Sequence, residues 1–291
     1  MAQPSHRPQT AALPDVLVIG AMKAASSTIC RFLELHPQVY MLENCEPEFF
    51  SRDECWARGI DWYSSLFSGA PDEPLKTEGS NSYAMTTLYP HTVGRMKKVV
   101  PNAKLIYMVR HPVERILSAW IQRRTDSPHT THPDPNEAVR EDQRFFVDAS
   151  RYWLQLSAFR QEYPDASIWV GFLEDLKTDA QSFFDELAKF LGLTPASELG
   201  LGPLHMNPST RKLVPNRRYT AAHALPGKSL LSAILPTSIK QAIRHRFLST
   251  RANGSFAFDQ ETVQWLAEEL RIDSRHFLDF CRKPTTFWGD L

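Results

Sequence analysis

The sequence predicts an α/β fold: a single domain with a central parallel sheet flanked by helices, and a P-loop-like phosphate-binding strand-loop-helix near the N-terminus. Three observations carry this. Short apolar runs, too brief for helices, alternate with helix-period segments over most of the chain. The first of these runs passes through Gly20 directly into a turn with Lys23, Ser26, Ser27 and Thr28, and then into a helix. Finally, 291 residues without an internal repeat or a long linker, 42% apolar and 23% charged, suit one sizeable core.

Asp15–Ile19 (DVLVI) reads as a buried parallel strand ended by Gly20. Ser26, Ser27 and Thr28 offer helix-capping hydroxyls, and Ile29, Phe32, Leu33 and Leu35 follow at near-helical spacing until Pro37 stops the helix. Val39–Met41 is a second strand, Trp56–Leu66 a helix and Leu75–Glu78 a third strand. Leu88–Val100 reads as a helix closed by Pro101 and Asn102, and Leu105–Val109 (LIYMV) is the cleanest buried strand. His111 and Pro112 break it, and a helix follows from Val113 through Trp120. Residues 125–136, polar with three prolines, predict an exposed loop. Ser150–Glu162 is an amphipathic helix with Tyr152, Trp153, Leu156 and Phe159 on one side, Ile168–Phe172 a strand, and Ser182–Leu191 a helix ended by Gly192. Loops and helices alternate thereafter, including Ser229–Phe247 and Glu261–Leu270.

Composition excludes several classes. Lys plus Arg and Asp plus Glu are each 33, so the formal net charge is zero, which argues against a general nucleic-acid binder. The balance of apolar and charged residues excludes a disordered or collagen-like chain. Cys30, Cys45, Cys55 and Cys281 form no C-x-x-C pair and no zinc pattern, which favours a reducing compartment. Residues 1–13 lack the apolar core of a signal peptide and read as a short disordered arm. No run approaches the roughly 18 apolar residues that cross a bilayer, so the expectation is a cytoplasmic protein.

The strand, Gly20, the stretch Ala21–Ser27, Thr28 and the following helix form phosphate-binding architecture. Backbone N–H groups at a helix N-terminus face an anion, the helix dipole adds attraction, and Lys23 adds a full charge. A plain βα turn with a surface lysine is the alternative. The loop is not a Walker A motif, because Lys23 lies three residues after Gly20 and no second glycine follows.

The stretch VIGAMKAASST resembles the 5′-phosphosulfate loop of sulfotransferases that use 3′-phosphoadenosine 5′-phosphosulfate (PAPS). Residues 107–120 are similar to the family's 3′-phosphate motif, in which a strand-end arginine, here Arg110, is followed eight residues later by a serine, here Ser118. Glu46-Pro47-Glu48-Phe49-Phe50, Gly59-Ile60-Asp61-Trp62-Tyr63, Glu174-Asp175-Leu176 and Phe190-Leu191-Gly192 match in family order, and the register looks closest to the bacterial and carbohydrate-type branch. The sequence departs from the family at Ala25, where many members carry Gly and where a Cβ argues against a left-handed backbone. It departs also at Gly79, where some glycan members carry Lys, and at Gln122, where some heparan-type members carry His.

The resemblance implies a sulfotransferase domain over residues 14–291 that moves the sulfuryl group of PAPS to a hydroxyl, less readily an amine, of a carbohydrate or small-molecule acceptor, leaving 3′,5′-ADP. Positioning and electrostatics dominate such a transfer, and no metal is required. Lys23 with the backbone of Ala24, Ala25, Ser26, Ser27 and Thr28 would hold the 5′-phosphosulfate, and Arg110 and Ser118 the 3′-phosphate. Glu46 resembles the family's catalytic glutamate, and apolar neighbours Phe49 and Phe50 would raise its pKa toward a useful base. Glu48 is its local competitor, capping of the next helix is the alternative role for either, and His36 and His111 are weaker candidates. Trp62, Tyr63, Tyr83, Trp120 and Tyr152 could stack on an acceptor, although most aromatics in such a domain are core.

The zero net charge conceals an asymmetry. Leu199–Phe258 contains no Asp or Glu and nine basic residues, so the other 231 residues carry a formal −9. By resemblance, Arg211, Lys212, Arg217 and Arg218 lie in a basic loop that folds over the 3′-phosphate. Residues 240–251 sit on an amphipathic stretch open to a membrane surface, an anionic acceptor or a partner. A P-loop-type nucleoside or small-molecule kinase and a non-catalytic nucleotide-binding protein are the competing readings; the missing Walker A speaks against the first.

Overall fold

The computed structural model describes residues 12–43, 46–71, 74–201, 213–215, 249–251, 256–289 and 291. Backbone contacts divide the chain into two compact units, Met1–Arg110 with Tyr152–His205, and His111–Arg151 with Met206–Leu291.

The first unit carries the α/β architecture that the sequence predicts. Its five strands are β1 (Val16–Gly20), β2 (Val39–Met41), β3 (Leu75–Gly79), β4 (Lys104–Val109) and β5 (Ile168–Phe172), all parallel, in the order β2-β3-β1-β4-β5. The two central strands are the most apolar: every residue of β1 is buried, as are Leu105–Val109 of β4, and each fully buried aliphatic side chain stabilises by about 1.5–3 kcal/mol. Helix α1 (Ser26–Leu35) connects β1 leftward to β2. Helices α2 (Asp53–Trp56), α3 (Gly59–Ser65), α4 (Thr92–Val99) and α8 (Tyr152–Arg160) lie on connections running the other way. Right-handed crossovers therefore put α1 on one face of the sheet and the others on the opposite face. Helix α10 (Ala180–Leu191), which follows α9 (Leu173–Thr178), joins α1 through the stacked rings of Phe32 and Phe184, 4.5 Å apart.

The second unit holds α5 (Pro112–Asp126), α6 (Pro135–Glu141), α7 (Gln143–Phe146), a two-stranded antiparallel ribbon β6 (Leu213–Pro215) and β7 (Ser249–Arg251), and α11 (Gln260–Phe280). Two fully buried arginines on α5 organise it. Arg115 donates to Ser150 Oγ (2.5 Å) and the Phe146 carbonyl (2.6 Å). Arg124 donates to the carbonyls of Pro128, Thr131 and Pro215.

Several expectations need correction. The helix predicted over 56–66 is two short helices, because Gly59 (φ +82°) takes a left-handed conformation that a continuous helix does not contain. The helix predicted from Leu88 begins at Thr92, since Met85–Tyr89 close as turns, with Leu88 N and Tyr89 N both on the Met85 carbonyl. The predicted exposed loop at 125–136 is partly buried, with Arg124 holding its carbonyls and α5 and α6 entering from either side. On α8 the position buried beside Tyr152, Leu156 and Phe159 is Gln155 rather than Trp153; its Oε1 accepts from Thr86 N (2.8 Å) and Oγ1 (2.7 Å). The helix predicted at 261–270 extends to Phe280. Ser229–Phe247, and all of the 240–251 stretch before β7, lie outside the described residues, as do residues 1–11 of the arm.

Candidate active site

The strand order reverses between β1 and β4: the chain leaves β1 toward β2 and β3, and leaves β4 toward β5. Open parallel sheets bind ligands at the carboxyl ends of the strands at such a switch point. The segment 21–25 follows β1 there and Arg110 follows β4. Ala21 N donates to the Met108 carbonyl (2.7 Å), which ties the loop to β4. On the other side Ala84 N donates to the Ile19 carbonyl (2.9 Å), which ties the turn after β3 to β1. Gly20 allows both. Its φ is +138°, and a Cβ there would stand 3.1 Å from Ala84 Cβ and 3.2 Å from the Asn81 carbonyl.

Within the loop, Lys23 (φ +72°) and Ala25 (φ +71°) are both left-handed. The Cβ of Ala25 was expected to exclude that conformation; the structure adopts it regardless, at a cost of about 1–2 kcal/mol per residue. Ala25 is the N-cap of α1 and makes no side-chain cap, so the expected hydroxyl capping by Ser26, Ser27 and Thr28 does not occur. Thr28 N turns back to the Ala25 carbonyl (2.9 Å), while the N–H groups of Ser26 and Ser27 precede the helical ladder, where an anion finds its donors. Ala24 is buried beneath the loop and Ser27 is exposed. Arg110 Nη1 donates to the Lys23 carbonyl at 3.4 Å, so the structure brings these two predicted residues together. Tyr152 Oη steadies the same arginine from α8, donating to its carbonyl (2.8 Å). Ser118 is buried on α5 in the second unit. Arg211, Lys212, Arg217 and Arg218 lie outside the described residues.

Glu46 is exposed as a residue, yet its carboxyl group settles against the turn after β3, where Asn81 Nδ2 donates to Oε1. Partial burial pushes its pKa above the usual glutamate value; the Asn81 hydrogen bond opposes this and the charge of Glu48 reinforces it. Phe49 and Phe50 are fully buried in an aromatic cluster, Phe49 stacked on Tyr63 at 4.3 Å and Phe50 5.4 Å from Tyr83. Glu48, the competitor, takes φ +50° and pairs with Arg52 Nε at 3.2 Å, so its carboxyl group is already occupied. His36 is buried at the end of α1, its Nε2 3.0 Å from the Thr194 carbonyl and its Nδ1 accepting from Gln38 N, a tie between segments. His111 is the N-cap residue of α5. Tyr63, Tyr83, Trp120 and Tyr152 are buried, as the core reading expects, and Trp62 is half-buried beneath the Arg58 guanidinium (3.6 Å).

Asn81 is the residue that sequence reasoning missed. It lies 55 residues from Ser26 and 35 from Glu46, and it links them: Ser26 Oγ donates to Asn81 Oδ1 (2.7 Å) while the amide donates to Glu46. No periodicity in the sequence reports a contact of that kind. Just before it, Glu78 is fully buried and accepts from Tyr83 Oη (2.7 Å), Tyr63 Oη (3.0 Å) and Ser80 Oγ (3.1 Å). Burial, then the neighbouring Glu78, holds both tyrosines well above the usual phenol range. At Gly79, where glycan-type members can carry Lys, a Cβ would stand 2.9 Å from Cys30 Sγ and 3.1 Å from Val18 Cβ. Among the described residues, no group of three or more His, Cys, Asp or Glu is placed to hold a metal, and no helix is long and apolar enough to cross a membrane. The arrangement is a loop at a helix N-terminus that carries Lys23 and is met by Arg110, joined through one amide to a carboxylate of raised proton affinity.

A family model described as a sulfotransferase domain matches residues 13–203. Human heparan sulfate glucosamine 3-O-sulfotransferase 6 is 36% identical over 115 residues, covering 40% of this chain and 32% of that protein. Mouse heparan sulfate glucosamine 3-O-sulfotransferase 5 is 26% identical over 192 residues, covering 63% and 54%. The chain thus spans between a third and about half of the length of these relatives. Among solved structures, a sulfotransferase from Alicyclobacillus acidocaldarius superposes with a TM-score of 0.64 at 20% identity, over 95% of this chain and 99% of that one. Mouse sulfotransferase SULT7A1 complexed with PAP superposes at 0.54 and 13% identity, over 92% and 86%. At such identities the likeness is one of fold. The family match takes in every element from β1 to α10, and with them the loop, Glu46, Asn81 and Arg110: the chain belongs to the sulfotransferase family.

Proposed function

We propose that the protein transfers the sulfuryl group of PAPS to a carbohydrate hydroxyl, with Glu46 as general base, and that residues 14–291 act as one sulfotransferase domain. The observation that carries the proposal is the link, through Asn81, between the loop that follows β1 and a carboxylate of raised pKa. The names of the glycan-sulfating relatives and the PAP held by a neighbour of the same fold point the same way.

Each residue has a defined task. The N–H groups at the start of α1 and the Lys23 ammonium bind the 5′-phosphosulfate and stabilise the charge that grows on the phosphate oxygen as its bond to sulfur breaks. Arg110 with Ser118 holds the 3′-phosphate, to which Arg211, Arg217 and Arg218 add positive charge. The Glu46 carboxylate takes the acceptor's hydroxyl proton as the new O–S bond forms.

The test is transfer of labelled sulfate from PAPS to a panel of desulfated glycans, with thermal shift by 3′,5′-ADP alongside. Transfer together with an upward melting shift supports the reading. A shift with ATP and Mg²⁺ but none with 3′,5′-ADP would overturn it in favour of phosphoryl transfer.

A further inference from the structure

We infer that Asn81 is a positioning residue that sets both the orientation and the working pH of Glu46, and that Ser26 at the head of α1 fixes Asn81 for that task. The inference deepens the proposed function and rests on it for the role of Glu46.

Donor and acceptor roles fix the direction of each bond. An ionised carboxylate only accepts, so the Asn81 amide must present Nδ2 to Glu46 Oε1. Its Oδ1 then faces Ser26 Oγ at 2.7 Å, and a carbonyl oxygen obliges that hydroxyl to donate. One orientation of the whole chain of bonds remains: Ser26 O–H to Asn81 Oδ1, Asn81 N–H to Glu46 Oε1. Ser26 is buried and its hydroxyl proton is committed to Asn81, so the donor it has left for a bound anion is its backbone N–H.

The strap is anchored at both ends. The turn carrying Asn81 is held to β1 by Ala84 N on the Ile19 carbonyl, and Ser80 beside it accepts from Glu48 N (3.0 Å), so the Glu46–Glu48 segment and the turn are joined twice. Among the described residues, the charged group that acts on Glu46 is Glu48, itself paired with Arg52. From the turn, the group that reaches the carboxylate is the neutral amide. A donor to the ionised form lowers its proton affinity, so the strap counters the burial that raises it.

Removing the donor should therefore move the Glu46 titration upward. The experiment is ¹³C NMR titration of glutamate carboxyls in the full chain, with Glu46 assigned by its absence in Glu46→Gln. In Asn81→Ala the Glu46 midpoint is expected about one pH unit higher. In Asn81→Asp, which is nearly isosteric, a second carboxylate replaces the donor and the midpoint rises further. Ser26→Ala gives a smaller rise, because the amide is then free to turn. Sulfuryl transfer from PAPS to a desulfated heparan oligosaccharide should show its acid limb displaced by the same amounts.

Unmoved Glu46 midpoints in Asn81→Ala and Asn81→Asp, with native circular dichroism, would overturn the strap. Should Asn81→Ala fail to fold, the isosteric Asn81→Asp decides. Displaced midpoints in a chain that transfers no sulfate from PAPS to any acceptor would leave the strap standing and remove the proposed reaction instead.

Discussion

Glu46 and Glu78 are served by neighbouring residues of one turn and live under opposite conditions. Ser80 donates to Glu78 and Asn81 donates to Glu46. Glu78 is fully buried and also takes two tyrosine hydroxyls, from α3 and from the turn, so its oxygens are saturated by groups that cannot leave. Glu46 is exposed as a residue but its carboxyl group is partly buried; that burial, then the charge of Glu48, keeps its proton affinity raised against a single amide donor, and it remains open to an acceptor. The contrast separates a carboxylate that fastens a fold from one that can exchange a proton. Saturation by donors makes the first inert, and a single donor keeps the second usable.

Three substitutions, read in four measurements, probe that division and the loop beside it, the largest effect first. Glu46→Gln is expected to lower turnover about 10²- to 10⁴-fold while 3′,5′-ADP affinity, measured by calorimetry, is retained; undiminished turnover would move the base elsewhere. Glu78→Gln should do the reverse. With one acceptor oxygen in place of two, a buried donor loses its partner at about 1–3 kcal/mol, read as a lower urea midpoint at unchanged slope. An unaltered midpoint would dissolve the contrast.

Ala25→Gly relaxes the left-handed residue at the loop end of the strap and should stabilise by roughly 1 kcal/mol or less, since glycine regains the αL cost but loses some of it to unfolded-state entropy. A loss of stability there would mean that the Ala25 methyl packs usefully.

The smallest effect is on melting temperature. The native pKa of Glu46 is raised, so the folded chain holds this proton more tightly than the unfolded chain does. Its ionisation therefore costs stability above the native pKa, and nothing once pH falls below the unfolded value. Glu46→Gln should melt slightly higher than the parent at neutral pH, and the difference should vanish on acidification. A gap that widens in acid would contradict the sign of the shift.

Much of the fold was legible because burial on both faces leaves a plain mark. β1 and β4 are apolar runs between a turn and a Gly or His-Pro break, and they lie where the pattern put them. The loop was legible by its place between strand and helix, although the backbone of Ala25 was not, since a single Cβ gives little sign of what its surroundings can enforce. Helix limits were less legible where tertiary contact decides them, as at Thr92 and at Gln260–Phe280. The turn residues Ser80 and Asn81 read as loop punctuation. Their partners lie 32 to 55 residues away, and only the parallel register of β3 beside β1 brings them into reach.

The tight fit at Gly79 has a corollary. Cys30 Sγ and Val18 Cβ occupy the space that any side chain there would enter, so the identities of positions 30, 18 and 79 are not independent. A lysine introduced at position 79 would have to displace the Cys30 thiol, and a smaller residue at position 30 is expected to make room for it. The three sites form an epistatic set, whose non-additivity a double-mutant cycle would read.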